Sequence, residues 1–367
     1  MIPADSPDRR ASRLLIVDAG GNIRSTAREE LAALFSPDDI IVANDAATLP
    51  ASLSGTHAAT GQPIEIRLAG WILPGDPTRF VAIAFGAGDF RMRTEHRPPP
   101  PPLASGDHLL LGPLQAVVTG LRDHPRLLTI RFCGDRDAIL AGLARHGRPI
   151  QYAHVAQPLV LWDVWTKFAA VPLAFEAPSA GFALDWRTLT AWRERGLRLA
   201  TLTHAAGISS TGDPTLDIRL PFDEHFCIPP ATAAAIAQTK ARGGRVIAIG
   251  TTVVRALESA ADSSGRIHAG NGIARGRIGL DTRLRVVDAI LTGAHEPGES
   301  HFELLRAFTD DELLEQMSAA LDAHHYRGHE FGDSVLIERV PRPWRAVEPP
   351  VERPACDVLT WGMNGIG

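Results

Sequence analysis

The stretch of sequence that decides the fold is RVIAIGTTVVRALE, residues 245–258. It begins with an apolar run typical of a buried strand and continues, after Gly250, with apolar residues at helical spacing. Gly250 permits a tight turn in which the backbone approaches a ligand, and Thr251 or Thr252 can cap the helix. The free N–H groups at the start of that helix suit a carboxylate or hydroxyl group of a small molecule. The stretch therefore predicts a strand, a turn and a helix, with a candidate binding site at the turn.

The surrounding segments alternate between strands and helices. Apolar strands at 197–202 and 245–249 alternate with helices at 231–241 and 253–261. This alternation predicts an α/β layer architecture, and open α/β sheets bind ligands in the crevice beyond the carboxyl ends of their strands. Strand-turn-helix junctions also occur where the threonine only caps the helix. The residues of this junction alone favour the capping role, and a ligand-binding site is the alternative.

The amino-terminal region predicts a hairpin rather than a dinucleotide site. Residues 13–18 form an apolar strand, and 19–22, AGGN, form a turn into a second strand. A phosphate-binding fingerprint needs a helix directly after its glycines and a third glycine at a fixed offset, and both are missing. A short helix at 31–35 and a buried strand at 39–45 follow.

The region from 63 to 140 has a different pattern. Short alternating strands, such as 64–68, 80–85 and 127–132, are separated by glycine and proline, which predicts a small β-barrel. The proline run at 98–102 predicts an extended polyproline II loop. We therefore expect an α/β main domain, a mixed sheet with flanking helices, with an inserted small β-barrel domain.

The expected boundaries follow from these changes of pattern. Residues 1–60 and 150–340 form a discontinuous α/β domain, 61–149 form the inserted barrel, and 341–367 form an extended tail. A chain of 367 residues is long enough for two hydrophobic cores.

Composition restricts the partners of the chain. The formal net charge is -5, so a nucleic acid would have to meet a local basic patch. The amino-terminal residues lack the apolar segment of a secretory signal, and no stretch reaches the length of a membrane span. We expect a cytoplasmic protein with no membrane partner.

Cysteine and histidine spacing does not match a metal site. Cys133, Cys227 and Cys356 are far apart and form no C-x-x-C pair. The histidine group His324, His325 and His329 has no H-E-x-x-H spacing. We expect reduced thiols and no metal ion.

Residues 240–258, KARGGRVIAIGTTVVRALE, resemble a long family motif. The motif is K-A-x-G-x-R-V-x-A-V-G-T-T-x-x-R-x-L-E of the S-adenosylmethionine:tRNA ribosyltransferase-isomerases, which act in queuosine biosynthesis. The chain resembles a divergent member of this family over roughly residues 12–337, and the family's fold agrees with the expected architecture. The other matching segments, in the family's order, are 12–15, 42–45, 49–51, 178–181, 286–288, 292–297, 326–327 and 332–337.

The resemblance implies that S-adenosylmethionine is a substrate. In the family reaction its ribosyl part is transferred to 7-aminomethyl-7-deazaguanine in a tRNA anticodon loop and isomerised to give epoxyqueuosine, while adenine and methionine leave. A sulfonium acidifies the neighbouring C–H bonds and is a good leaving group, so a positioned base can start the sequence. The resemblance therefore implies no metal, no pyridoxal phosphate and no redox nucleotide.

Candidate roles follow from residue type and from the matching segments. His204 and His295 can exchange protons near neutral pH, and Glu224 and Glu258 can accept a proton or balance the sulfonium. A structural hydrogen bond or a salt bridge is the alternative role for each of these four residues. The candidate residues for binding S-adenosylmethionine are Asn44, Asp45, Ser179, Ala180, Gly181, Phe182, Gly250, Thr251, Thr252, Arg255, Tyr326 and Asp333. Among these, Arg255 can hold a carboxylate.

The chain departs from the family at several motifs. Residues 220–224, LPFDE, keep the glutamate of H-x-M-H-x-E without either histidine, and 178–184, PSAGFAL, lack the histidine of P-T-A-G-L-H-F. His204 is kept, but AAGIS follows it in place of V-G-x-G-T-F. Residues 326–331, YRGHEF, replace the aromatic motif Y-R-F-F-S-Y.

These departures leave a changed acceptor as an alternative to the tRNA reaction. Glu296, Glu299 and Glu330 would repel phosphate, whereas aromatic and neutral polar groups suit stacking on unpaired RNA bases. The alternative is an enzyme of specialised metabolism that uses S-adenosylmethionine with a small amine, or alone by sulfonium displacement to 1-aminocyclopropane-1-carboxylate. A third possibility is a non-catalytic binding module on the same scaffold.

Overall fold

The computed structural model describes residues 1–6 and 12–340. The tail predicted at 341–367 lies outside the described residues. Within the described part of the chain, no helix has both the length and the apolar character needed to cross a membrane.

The strands of the described residues are, in chain order, β1 (Ile2–Pro3), β2 (Arg13–Val17), β3 (Ile23–Ala27), β4 (Ile40–Asn44), β5 (Ala46–Thr48), β6 (Ser52–His57), β7 (Pro63–Trp71), β8 (Arg79–Phe85), β9 (His108–Leu111), β10 (Leu114–Leu121), β11 (Leu127–Phe132), β12 (Val171–Ala174), β13 (Arg198–His204), β14 (Glu224–Ile228), β15 (Val246–Ile249), β16 (Gly270–Ala274), β17 (Ala289–Gly293), β18 (Arg327–Gly328) and β19 (Ser334–Glu338).

The helices of the same residues are α1 (Leu31–Leu34), α2 (Arg136–His146), α3 (Leu161–Val164), α4 (Trp186–Glu194), α5 (Pro214–Asp217), α6 (Pro230–Ala241), α7 (Thr251–Ala260), α8 (Ser300–Leu305) and α9 (Asp311–Ala323). Aspartate begins several of them. Asp135, Asp185 and Asp310 each accept a hydrogen bond from the backbone N–H three residues later, which satisfies an otherwise unpaired donor of the first turn.

The main domain is built on a nine-stranded mixed sheet, in the order β16-β14-β13-β4-β15-β17-β19-β2-β3. Its central strands β13, β4, β15 and β17 are parallel, and Ile40 of β4 pairs with Arg198 on one side and Val246 on the other. The predicted hairpin is the antiparallel pair β2 and β3. The expected mixed sheet with flanking helices is confirmed, and the four parallel strands end at one edge of the sheet.

Side chains of the central strands alternate between two cores, as the pleat of a strand requires. Ile40 and Val42 pack in one core with residues of α7 and α9. Ile41 and Ala43 pack on the other face, together with Trp192 of α4. Full burial of a large apolar side chain contributes about 1.5–3 kcal/mol to stability, so packing of helices against both faces stabilises the sheet.

The inserted domain is a closed barrel of six strands in the order β10-β11-β8-β7-β6-β9. The predicted barrel is therefore confirmed. Its strand β6 begins at Ser52, before the predicted start at residue 61, because β6 closes the barrel between β7 and β9. The run 98–102 connects β8 to β9 without helix or strand, and Pro98 accepts a hydrogen bond from Gly86 N–H at 3.0 Å. The division of the chain into domains stays a prediction.

Candidate active site

A cavity of about 960 Å³ lies where the parallel strands end. The first turn of α7 and the loop after β17 form part of its wall, and Arg93, Thr94 and Glu95 from the barrel domain form another part. Further parts of the wall come from the segment between α2 and α3, from the loops after β12, β13, β16 and β18, and from α8. The cavity therefore occupies the crevice in which an α/β sheet is expected to bind a ligand.

Gly250 joins β15 to α7 at the edge of this cavity. Its φ is 92°, and a Cβ at this position would meet the Cβ of Ala180 at 3.1 Å. The helix begins at Thr251 and has no side-chain cap, so the predicted cap by Thr251 or Thr252 is wrong. The reason is that the capping position is Gly250 itself, which has no side chain. Gly250, Thr251 and Thr252 all line the cavity, and the N–H groups of the first turn remain available to a ligand.

Glu224 and Arg255 form an ion pair in the cavity wall. The Nε of Arg255 lies 3.3 Å from Oε2 of Glu224, and Oε1 of Glu224 accepts the N–H of Gly207 at 2.6 Å. The Nη2 of Arg255 donates to the carbonyl oxygens of Phe222 and Ala274. Its Nη1 is buried and has no hydrogen-bond partner among the described residues. Burial raises the pKa of Glu224, and the charge of Arg255 opposes that rise.

His204 lies behind this pair and does not line the cavity. Its Nε2 is 3.5 Å from Oε2 of Glu224, and its side chain is fully buried. Burial, together with the charge of Arg255, lowers the pKa of His204 to about 3. The imidazole is therefore neutral near pH 7 and contacts the pair from the protein side.

A second polar group surrounds His295. The Nε2 of His295 lies 3.1 Å from Oγ1 of Thr292, and its Nδ1 lies 3.4 Å from Oε2 of Glu299. The ring of His301 is 4.8 Å away, and burial with the charge of His295 lowers the pKa of His301 to about 3. These four residues all line the cavity. His295 is thus placed where it can exchange a proton with a ligand.

A third group, absent from the sequence predictions, contains Tyr152, Glu176 and Ser209. Tyr152 Oη donates to Oε1 of Glu176 at 2.5 Å and lies 3.3 Å from Oγ of Ser209. Burial raises the pKa of Glu176 to about 7, although its hydrogen bonds from Tyr152 and Ser209 act in the opposite direction. All three line the cavity. The one available signal was an acidic residue inside the apolar run 173–178, LAFEAP.

His154, His329 and Glu330 have the residue types of a metal site. Their ligand atoms lie within 4.8 Å of one another, and the cavity includes all three. The Nε2 of His154 is 3.1 Å from Oε2 of Glu330, while the two imidazole rings stack at 4.3 Å with an angle of 15°. Because parallel rings do not direct their nitrogen lone pairs at one point, the group is arranged as a hydrogen-bonded pair with a stacked ring.

Several predicted residues lie outside the main cavity. Asn44 is buried, where its amide donates to the carbonyl of His204 at 3.0 Å and accepts the N–H of the same residue. Asp45 accepts the hydroxyl of Thr203 at 2.6 Å. Glu258 accepts three backbone N–H groups, at 2.8 to 3.0 Å, from the segment 285–287. These contacts hold the strands and helix that carry the cavity, and the structure does not bring Glu258 to it.

Tyr326 and Asp333 anchor the amino-terminal strand. Tyr326 Oη is 2.6 Å from Oγ of Ser25, and Arg13 lies over the tyrosine ring. Asp333 accepts hydrogen bonds from the backbone and side chain of Arg13 and from Arg327 N–H. Neither residue lines the main cavity, although Asp333 lines a small adjoining pocket.

The segment 179–182 is divided between the two spaces. Ser179 and Ala180 line both the main cavity and the small pocket, whereas Phe182 lines only the small pocket and stacks on Phe331 at 5.6 Å. Gly181 lines neither space, and a Cβ there would meet Thr166 at 2.8 Å.

Acidic residues outnumber basic ones in the cavity wall. The three glutamates that were expected to repel phosphate all line it, which makes the site suited to a cation. The acidic lining residues are Glu95, Glu176, Asp217, Glu224, Glu296, Glu299 and Glu330, and the basic ones are Arg93, Arg255 and Arg277.

Comparison with known proteins gives consistent matches over most of the chain. A family model described as "Queuosine biosynthesis protein" matches residues 2–337. A protein of Sorangium cellulosum named S-adenosylmethionine:tRNA ribosyltransferase-isomerase is 34% identical over 94% of this chain and 96% of its own length. A protein of the same name from Thiobacillus denitrificans is 32% identical over 91% and 92% of the two chains. The crystal structure of S-adenosylmethionine tRNA ribosyltransferase from Thermotoga maritima is 20% identical, with a TM-score of 0.46, over 92% of this chain and 95% of that one.

Proposed function

Because this chain belongs to the queuosine biosynthesis protein family, we propose that it is an S-adenosylmethionine:tRNA ribosyltransferase-isomerase. Such an enzyme transfers the ribosyl part of S-adenosylmethionine to 7-aminomethyl-7-deazaguanine in a tRNA anticodon loop and isomerises it to epoxyqueuosine. Adenine and methionine are the other products.

The observation that carries the proposal is that one cavity contains both the first turn of a helix and several carboxylates. S-adenosylmethionine has a carboxylate and two positive groups, the ammonium and the sulfonium. The first turn of α7 offers N–H groups, and Arg255 offers its unpaired Nη1, to the carboxylate. The acidic wall offsets the positive charges. We place Ser179, Ala180, Gly250, Thr251 and Thr252 in this binding site.

The residues of the cavity then have distinct tasks. Glu224 keeps Arg255 in position and adds negative charge near the ligand. His295 is accessible from the cavity and can move a proton to or from a leaving group. His204 is neutral and buried, so it supports Glu224 rather than touching the reacting atoms. Removal of a proton beside the sulfonium starts the reaction without an electron-transfer step.

A small-molecule acceptor remains the second candidate. The observation that favours it is the position of Glu296, Glu299 and Glu330 in the cavity wall, where their charge would oppose the phosphates of an anticodon loop. The names of the relatives favour the tRNA reaction.

Incubation with S-adenosylmethionine tests the proposal. The enzyme is supplied with precursor tRNA that carries 7-aminomethyl-7-deazaguanine, or with the same tRNA carrying guanine, or with no tRNA. Mass spectrometry of digested nucleosides should show epoxyqueuosine, with release of adenine, only with the precursor tRNA. Turnover of S-adenosylmethionine that is independent of tRNA would replace this proposal by the small-molecule reaction. Absence of both turnover and calorimetric binding would leave a non-catalytic module.

A further inference from the structure

The carboxylate of Glu176 is held in the cavity wall by hydroxyl groups. Tyr152 donates to it at 2.5 Å, and Ser209 bonds it through both its side chain and its backbone. Tyr152 is fixed in turn, because its Oη accepts the N–H of Ser210 at 3.3 Å. The backbone N–H of Glu176 donates to the carbonyl of Ala206 at 3.4 Å. These contacts set the direction of the carboxylate before any ligand binds.

Glu176 and Glu224 contact the same short segment, residues 206–209, but their surroundings differ. Glu224 bonds Gly207 and faces the guanidinium of Arg255. Each of two other cavity carboxylates faces an imidazole: Glu299 contacts His295, and Glu330 contacts His154. Among these four carboxylates, Glu176 is the one whose hydrogen-bond partners are neutral hydroxyl and amide groups. Two carboxyl groups in different environments commonly take different roles in one reaction.

We infer that Glu176 is the general base that removes a proton from the ribosyl methylene carbon bonded to sulfur, an inference that rests on the proposed function. The C–H bond breaks, its electron pair stays on the carbon next to the positive sulfur, and the proton forms an O–H bond on Glu176. The carboxylate becomes a neutral carboxylic acid, and the sulfonium becomes an ylide. No oxidant or reductant is needed for this step.

The ionisation of Glu176 agrees with this role. Burial raises the pKa of Glu176 to about 7, and the nearby charge of Glu330 adds to the rise. Burial and the charge of Glu176 also raise the pKa of Tyr152, so the tyrosine hydroxyl keeps its proton and stays a donor. The guanidinium of Arg67 lies 5.6 Å from the Tyr152 ring, and its charge lowers that pKa. A base with a pKa near the working pH combines a large ionised fraction with sufficient basicity.

Two measurements on the full chain test the inference. The first follows exchange of deuterium from heavy water into the ribosyl methylene of S-adenosylmethionine. The second follows ribosyl transfer to precursor tRNA in a single turnover. Glu176→Gln should slow both by about 100-fold or more, the usual contribution of general-base catalysis, with a dissociation constant for S-adenosylmethionine within about threefold of wild type. Glu315→Gln, which changes an exposed glutamate of α9, is the matched control.

The wild-type transfer rate should rise with pH to a plateau above about 7, because the carboxylate is the active form. Tyr152→Phe should shift this midpoint, which a purely structural effect of the hydroxyl would not do. Wild-type exchange and transfer rates in Glu176→Gln would overturn the inference and leave the proposed function intact. Exchange that depends on Glu176, without any transfer to tRNA, would support Glu176 as the general base and exclude the proposed tRNA reaction. Absence of exchange and transfer in the wild type would overturn both.

Discussion

The Nε of Arg255 lies 3.3 Å from Oε2 of Glu224, and both side chains are buried in the cavity wall. This ion pair connects the first turns of α7 to the start of β14, residues that are far apart along the chain. A buried charge without its partner is strongly unfavourable, so each residue of the pair requires the other. The pair therefore links the stability of the domain to the chemistry of the cavity.

Arg255→Ala should lower the free energy of unfolding by about 3–5 kcal/mol, because it leaves the charge of Glu224 uncompensated. The double variant Arg255→Ala with Glu224→Gln should be more stable than Arg255→Ala alone, since no buried charge remains. Urea denaturation of the wild type, both single variants and the double variant measures this coupling. Additive effects of the two substitutions would show that the pair is not coupled.

Arg255→Ala should also weaken binding of S-adenosylmethionine by about 1.5–3 kcal/mol if Nη1 bonds a charged group of the ligand. Calorimetry at a temperature where the variant is folded measures the affinity. Unchanged affinity in the folded variant would remove Arg255 from the ligand site.

Gly250→Ala should reduce both stability and ligand affinity. The glycine has a φ of 92°, and the added Cβ would meet Ala180 at 3.1 Å, so we expect a loss of roughly 1–3 kcal/mol of stability. We expect the added Cβ to displace the first turn of α7. This displacement should weaken binding of S-adenosylmethionine by about tenfold, or 1.4 kcal/mol. Gly243→Ala is the matched control, because its φ is 77° but the added Cβ meets open space. Equal ligand affinities of the two variants would separate Gly250 from the binding site.

Glu258→Ala should destabilise the protein by about 1–3 kcal/mol without changing its ligand affinity, because backbone N–H groups of 285–287 lose their acceptor. Glu315→Ala, at an exposed position of α9, should change stability by less than about 0.5 kcal/mol. Denaturation midpoints and calorimetry measure both quantities. Loss of S-adenosylmethionine turnover in a stable Glu258→Ala protein would instead support the catalytic role predicted from the sequence.

Stability should fall as the pH is lowered below about 6.5, where unfolded histidine becomes protonated. The folded-state pKa values of His204 and His301 are both lowered to about 3, so the unfolded chain binds more protons between these pH values. The stabilising contribution of each neutral imidazole is fully present above the unfolded pKa. Below that pKa, the contribution of each imidazole decreases by about 1.4 kcal/mol per pH unit. His295, Glu299 and Arg255 are the charged or titratable groups that act on His301.

Urea denaturation of the wild type and His301→Gln at about pH 7.5 and about pH 5.5 checks this expectation. The variant should lose about 1.4 kcal/mol less stability over that interval, because it lacks one proton-binding group of the unfolded chain. The same loss in both proteins would show that His301 is already protonated in the folded state.

The sequence by itself determined the local elements. The apolar spacing around Gly250 predicted β15 and α7, the polar turn after β2 predicted a hairpin, and short alternating runs predicted the barrel. The motif of residues 240–258 also indicated the family. These features depend on contiguous residues, because strand and helix periods and glycine turns are properties of a local segment.

Only the tertiary structure decided which side chains share the cavity. It placed Glu224, His295 and Arg255 in the cavity wall, assigned Glu258 to backbone hydrogen bonds, and added Glu176 and Tyr152. The physical reason is that strand order and register bring together residues from distant segments, and burial then sets their charge. The pKa values of Glu176 and His204 move in opposite directions because burial in each case disfavours the ionised form.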